Sequence, residues 1–344
     1  MEWKERPYKP KAFDHAMKPI TTLFFMLAAW HCFGQSHSFY SKPDTLRIDS
    51  KIFGTVRKIS VSIPNDYDKL QQPKNCILYV DGGDDEIAGT MLQAVNNLYL
   101  SDDIPQSILV GIFHENRDQE LQEKNKLYEF ITAEVLPKIT ATYSLKKEIT
   151  VVGHSFGAYF ATFCFLKNNA LFNNCIAISP AFWPNNGDIY LIAEQVQKQQ
   201  DQPTGYFYVA IGNKRWDDIS LRSGVLQFKK IMESKKNKVQ FYFQDLKGFN
   251  HHSSPTVGFG LGLNFCFDDW EWESVLEEQN RRIRAFPDFW QHDELKADAL
   301  QHLNRTQEAS ETYQIAIKKL QGDKNISPTN RKRFIKRLNN KMRR

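Results

Sequence analysis

The stretch Val151-Val152-Gly153-His154-Ser155-Phe156-Gly157-Ala158 decides how the chain is read. A short apolar run over residues 149–152 enters a Gly-x-Ser-x-Gly turn, and an apolar helical pattern over residues 156–166 leaves it. A strand that turns at once into a helix needs small residues on both sides of the turn. Its sharpness lifts the serine hydroxyl above the sheet edge. The amide of Phe156, at the start of the helix, then faces the same point and can hold a developing oxyanion. A glycine-rich turn also occurs without chemistry, but strand before and helix after are the context that gives this match meaning.

Outward from the turn, apolar strands and amphipathic helices alternate. Residues 45–63 read as two strands, with alternation from Arg57 to Ile63 and a break at Pro64-Asn65. Further strands are expected at 76–80, 107–113, 149–152, 175–179, 206–211 and 239–243, with helices at 88–98, 121–142, 156–166, 189–199 and 221–234. Short continuous apolar strands separated by helices predict an α/β fold, a mostly parallel sheet with helices on both faces.

Beyond Asp268 the apolar strands stop and helical periodicity takes over. Residues 304–316, with Ala309, Tyr313 and Ala316, look like the turn and second helix of a tetratricopeptide unit. One unit cannot bury its own face, so this hairpin is expected to pack on the α/β domain and not to serve as an array for a protein partner. The expected organisation is an upstream extension over 1–16, a signal peptide over 17–36, the α/β domain over 44–272 and a helical extension over 273–344.

The leader is read from Met17-Lys18-Pro19, an apolar run from Ile20 to about Phe33, and the small and polar exit Gly34-Gln35-Ser36. The run is shorter than a membrane span requires, so a periplasmic or secreted location is expected, with no span once the leader is removed. The 344 residues carry a net charge of +5, but the last fourteen contain eight Lys or Arg and no acid, which leaves the body slightly acidic. That distribution gives no reason to expect nucleic-acid binding. Cys76, Cys164, Cys175 and Cys266 sit in apolar surroundings and read as buried free thiols. Their spacing fits no zinc site, and no cofactor or metal is expected.

A serine nucleophile needs a base, and His251 and His252 lie on the loop after the last α/β strand, ahead of a helical pattern over 256–267. Local sequence does not choose between them. The chain order Ser, acid, His places the acid on the loop after strand 206–211, where Asp217 and Asp218 stand; the same pair would equally suit a helix N-cap. Asp81-Gly82-Gly83-Asp84-Asp85 follows strand 76–80 and suggests Gly83 as a second oxyanion amide. Its carboxylates read as turn hydrogen-bonders and not as a metal cluster. His154, Arg117 and Trp183 lie where substrate would be met, at the carboxyl ends of strands. For Arg117 the alternative is to hold its loop through a carboxylate, and for Trp183 it is plain packing.

These pieces resemble the esterase-D and enterochelin-esterase-like group of α/β hydrolases, over roughly residues 44–270. In order, the matches are Leu78-Tyr79-Val80-Asp81-Gly82; Val110-Gly111-Ile112 with Arg117-Asp118; Gly153-His154-Ser155-Phe156-Gly157; Ile178-Ser179-Pro180-Ala181-Phe182-Trp183; and Asn250-His251-His252-Ser253-Ser254-Pro255 with Gly262-Leu263. The family's last motif, His-Gly-Ser-x-Pro, puts the base on His251 and His252 in place of the glycine. Many relatives carry a glutamate where this chain has Lys214 and Arg215, so the resemblance leaves either Asp217 as the acid or a Ser-His dyad.

The resemblance implies hydrolysis of a carboxylic ester through an acyl-enzyme on Ser155. The substrate would be a small-molecule, glycan or siderophore ester. Acyl transfer to an alcohol uses the same acyl-enzyme. A non-catalytic binding protein on the same scaffold is the other alternative, against which the intact Ser, His and glycine framework argues.

Overall fold

The computed structural model describes residues 40–343 apart from 66, 68–72, 83–86, 102, 200–202 and 235–237. The leader over 17–36, the extension before it, and Gly83, Asp84 and Asp85 lie outside the described residues.

Eight strands form one sheet: β1 Asp44–Ser50, β2 Thr55–Ser62, β3 Lys74–Tyr79, β4 Ser107–Ile112, β5 Leu145–His154, β6 Asn174–Ile178, β7 Tyr206–Gly212 and β8 Gln240–Leu246, in the order β1-β2-β4-β3-β5-β6-β7-β8. β1 and β2 are antiparallel to their neighbours, and the other strands run parallel. This is the α/β-hydrolase fold, with the expected mostly parallel sheet. Successive side chains of a strand point to opposite faces. Leu78, Val110 and Val151 accordingly join the core on one face, while Ile77, Tyr79, Leu109 and Val152 join the core on the other.

The connections choose sides in the same way. After β3, α1 (Ala88–Leu100) buries Met91 and Val95 on the second face. After β4, α2 (Arg117–Gln122), α3 (Asn125–Phe130) and α4 (Leu136–Thr142) cover the first, with Leu121, Phe130 and Ile139 in its core. The continuous helix expected over 121–142 is interrupted by a π-helical turn, Ile131–Val135. The chain then crosses from β4 past β3 to β5, so the strand order reverses between β3 and β5. In open sheets such a switch point opens a crevice at the strands' carboxyl ends. α5 (Phe156–Lys167) follows β5 and is buried along most of its length, α6 (Pro184–Lys198) and α7 (Arg222–Glu233) extend the same layer, and α8 (Pro255–Cys266) returns to the second face. All four cysteines of the described region are buried and unbridged, and burial pushes the Cys76 thiol up to about 12.

Four helices follow: α9 Asp268–Ala285, α10 Trp290–His302, α11 Thr306–Gly322 and α12 Pro328–Met342. The hairpin α10–α11 was expected to bury its face on the α/β domain; instead it packs between α9 and α12. Trp290, Ala297, Tyr313, Ala316, Leu320 and Leu338 form one cluster, and Leu276, Ala299, Leu300 and Ala309 another. The flanking helices close the stack: α9 buries Leu276 with Trp272 and Val275 packed beside it, and α12 buries Leu338 with Phe334, Ile335 and Met342 packed against the cluster. Ion pairs assist, from Arg337 to Glu294 at 2.5 Å and from Lys341 to Asp298 at 2.6 Å. Among the described residues no helix is long and apolar enough to cross a membrane.

Candidate active site

Ser155 sits between β5 and α5 with φ 59° and ψ −118°, a conformation that costs a side-chain-bearing residue roughly 1–3 kcal/mol. Its surroundings hold it there. The Ser155 amide donates to the Ile178 carbonyl at 3.0 Å, and its own carbonyl accepts from Ala181 at 3.1 Å and Tyr159 at 3.2 Å. The two motif glycines are needed for the same turn. A Cβ on Gly153 would come within 2.2 Å of the Gly157 backbone, and one on Gly157 within 1.9 Å of Asp81 Oδ2. The Phe156 amide opens α5, where the unpaired N–H groups of the first turn favour negative charge. Gly83, its expected partner, lies outside the described residues.

His251 follows β8 and turns its Nδ1 to Asp217 Oδ1 at 2.8 Å. Asp217, fully buried after β7, also accepts from Ser179 Oγ at 2.7 Å, the Gly212 amide at 3.0 Å and Ser254 Oγ at 3.1 Å. Burial works to raise its pKa, but donation from His251 and Ser179 outweighs it and holds the carboxyl below its ordinary value. Asp218 instead pairs with Arg222 at 3.2 Å on the surface. The cap alternative does not describe Asp217, since its carboxylate turns to the histidine and not to helix amides. The His251 ring lies 4.4 Å from that of His154, the residue before Ser155. Among the described residues neither His251 Nε2 nor Ser155 Oγ has a hydrogen-bond partner. His252 is exposed, its ring edge-on to His251 at 5.5 Å.

Two residues expected to meet substrate are engaged by the protein instead. His154 is buried, with Nε2 2.9 Å from the His251 carbonyl. Burial, followed by the charge of His251, pushes its pKa down to about 3. The ring is therefore neutral and donates from Nε2, pinning the His251 loop to the elbow. Arg117 grips buried Asp81, with Nε and Nη2 at 2.8 and 2.7 Å from Oδ1, and also donates to the His154 carbonyl at 3.1 Å. This is the loop-holding alternative, and Asp81 completes it by accepting from the His154 amide at 3.0 Å. Trp183 is 56% exposed and packs edge-on against Phe156 at 5.2 Å, beside the amide that opens α5.

Sequence reasoning missed Ser179, Ser254 and the exposed Trp216. Ser179 and Ser254 each precede a proline within a stretch that carried the family resemblance, but neither had a role until Asp217 lay between them. Trp216 adjoins Asp217, beyond the strand next to that of Trp183, and was legible only as its neighbour.

The family model for putative esterases matches residues 50–257. The chain belongs to that esterase family. The esterase is thus a carboxylic ester hydrolase on the α/β-hydrolase fold. No curated protein matches it in sequence. Among solved structures it is similar to an uncharacterised protein of Capnocytophaga ochracea, with TM-score 0.59 and 15% identity over 87% of this chain and 99% of that one. An IroE-like serine hydrolase of Shewanella oneidensis gives TM-score 0.59 and 18% identity over 81% of the esterase and 98% of its own chain. The siderophore hydrolase EstB of Aspergillus nidulans gives 0.57 and 18%, over 68% and 96%. The first two cover more of the esterase than the α/β domain alone occupies.

Proposed function

We propose that the esterase cleaves its substrate through an acyl-enzyme on Ser155, with His251 as general base and acid and Asp217 as the group that orients it. The observation that carries this reading is the 2.8 Å contact between His251 Nδ1 and a buried, ionised Asp217. A carboxylate there fixes the proton on Nδ1 and leaves the Nε2 lone pair to take the serine's proton. Attack by Oγ on the ester carbonyl places negative charge on the carbonyl oxygen, which the Phe156 amide receives together with Gly83. His251 returns the proton to the departing alcohol, and water repeats the sequence on the acyl-enzyme. The strained Ser155 backbone keeps the hydroxyl presented throughout, so no reorganisation is needed at the moment of attack.

The substrate proposed is a small-molecule ester of the siderophore or feruloyl-sugar kind. Proteins of similar fold include ferric enterobactin esterase of Salmonella typhimurium and a ferulic acid esterase of Anaeromyces mucronatus. Exposed Trp183 and Trp216, on adjacent loops at the site's end of the sheet, suit a planar group. Labelling with a fluorophosphonate probe tests the mechanism. The wild-type protein is expected to label and Ser155→Ala to remain unlabelled; an unlabelled wild type overturns the reading.

A further inference from the structure

Beside this machinery lies a second histidine–carboxylate pair that the mechanism does not use. His114 lies just beyond β4, with its side chain only 5% exposed. Its Nδ1 is 2.9 Å from Glu120 Oε2 and its Nε2 is 2.6 Å from the carbonyl oxygen of Val80. A carbonyl oxygen can only accept. Glu120 can only accept as well when ionised, and it is held so. Burial would raise its pKa, but hydrogen bonds from His114 and Arg57 bring it down to about 2. Arg57 of β2, itself buried, donates to both carboxylate oxygens at 2.8 and 2.6 Å, and the Glu115 and Asn116 amides donate to Oε1 at 3.1 and 3.3 Å.

A neutral imidazole has one N–H and one lone pair. Facing two acceptors, it would satisfy one and set its lone pair against the other at hydrogen-bonding distance. Only the imidazolium donates to both. The charges around it are Glu120 on α2 and Arg57 on β2, with exposed Glu115 3.9 Å from that guanidinium. Asp81 and its partner Arg117 follow next on the two loops that His114 joins.

Val80 is the residue on which the oxyanion loop hangs. Its amide donates to Val152 of β5 at 2.9 Å, and its carbonyl belongs to the peptide that leads into Asp81, Gly82 and Gly83. Fixing that carbonyl fixes the plane of the peptide and so the direction in which the loop leaves the strand. We propose that His114, donating from both ring nitrogens, is the positioning residue of the strand end from which the oxyanion loop leaves. The proposal rests on the ester-hydrolase reading above, because the loop's service is to an oxyanion.

The test compares full-length wild type with His114→Gln, measuring kcat and KM for a short p-nitrophenyl ester. The ring-nitrogen NMR signals of His114 are followed alongside. Wild type is expected to show N–H on both His114 nitrogens, one for each acceptor. The glutamine cannot donate to both, so its kcat should be about tenfold lower than wild type with KM little changed, as a slightly misplaced loop would cause. A variant with the kcat of wild type, a loss that falls on KM alone, or a singly protonated His114 each overturns the proposal. If His114→Gln does not fold, the wild-type spectrum decides alone. Failure of the ester-hydrolase reading shows separately, as a wild type that no fluorophosphonate labels, and leaves the NMR result standing.

Discussion

His251 with Asp217 and His114 with Glu120 are the same chemical pair, an imidazole Nδ1 against a buried carboxylate at 2.8 and 2.9 Å, at the same end of one sheet. What separates them is the other ring nitrogen. Among the described residues Nε2 of His251 has no hydrogen-bond partner, while Nε2 of His114 is closed by the Val80 carbonyl at 2.6 Å. A base needs a lone pair at its free end, so only the first pair can take a proton from serine. The second has one nitrogen on the Glu120 carboxylate and the other on the Val80 carbonyl. A histidine–carboxylate contact is therefore no signature of catalysis until both ring nitrogens are accounted for.

The comparison breaks hardest at Asp217. Asp217→Asn replaces one of the two acceptor oxygens by NH2: turned to His251 it removes the acceptor that sets the tautomer, and turned the other way it sets an N–H against the Gly212 amide, which can only donate. The expected loss in kcat is about ten-thousand-fold with KM little changed. A loss below tenfold would mean that the enzyme runs as a Ser-His dyad.

At the second pair the expected damage is to the fold. Glu120→Gln leaves Arg57, 2% exposed, without its counter-charge, and breaking a buried pair in this way costs about 3–5 kcal/mol. Urea denaturation measures it. The sign of the pH dependence follows from a carboxyl lowered from 4.5 to about 2. The stabilisation is complete above pH 4.5 and drains away as pH falls towards 2, so wild type should lose stability across that window and Glu120→Gln should lose less. Equal slopes would show that Glu120 is not the group that matters.

How far each pair was legible depends on how local its geometry is. The Ser155 elbow was legible because one octapeptide contains the strand end, both close-approach glycines and the helix start. His251 followed from chain order and a family motif. Asp217 stayed level with a helix cap because two of its four donors, Ser179 and Ser254, lie 38 and 37 residues away in sequence. Arg117 stayed ambiguous for the same reason, its partner Asp81 being 36 residues distant. His114 carried no pattern at all, since Val80 meets it through a backbone atom. In the helical extension the α10–α11 hairpin showed its periodicity. The helices that close it were not singled out, because the α12 stripe of Phe334, Ile335, Leu338 and Met342 lies among Lys and Arg that give the segment a cationic, solvated look, and the α9 residues Trp272, Val275 and Leu276 lie among acidic neighbours. β5 begins at Leu145 and not at 149 because Lys146, Lys147 and Glu148 are exposed, so their strand carries no apolar signature.

The smallest effect is expected at the neighbour of His251. His251 and His252 were indistinguishable from local sequence, and a surface histidine one residue away tests whether the geometry has chosen between them. The His252 amide is held by Asn250 Oδ1 at 3.0 Å, but its ring is exposed and meets His251 only edge-on. Removing an exposed side chain with no buried partner changes free energies by about 0.5 kcal/mol or less, which is about twofold in rate. His252→Ala should therefore keep kcat/KM within about twofold of wild type, while His251→Ala abolishes the fluorophosphonate reaction. A loss of tenfold or more in His252→Ala would place the second histidine in the reaction and undo the distinction between an engaged and an idle imidazole.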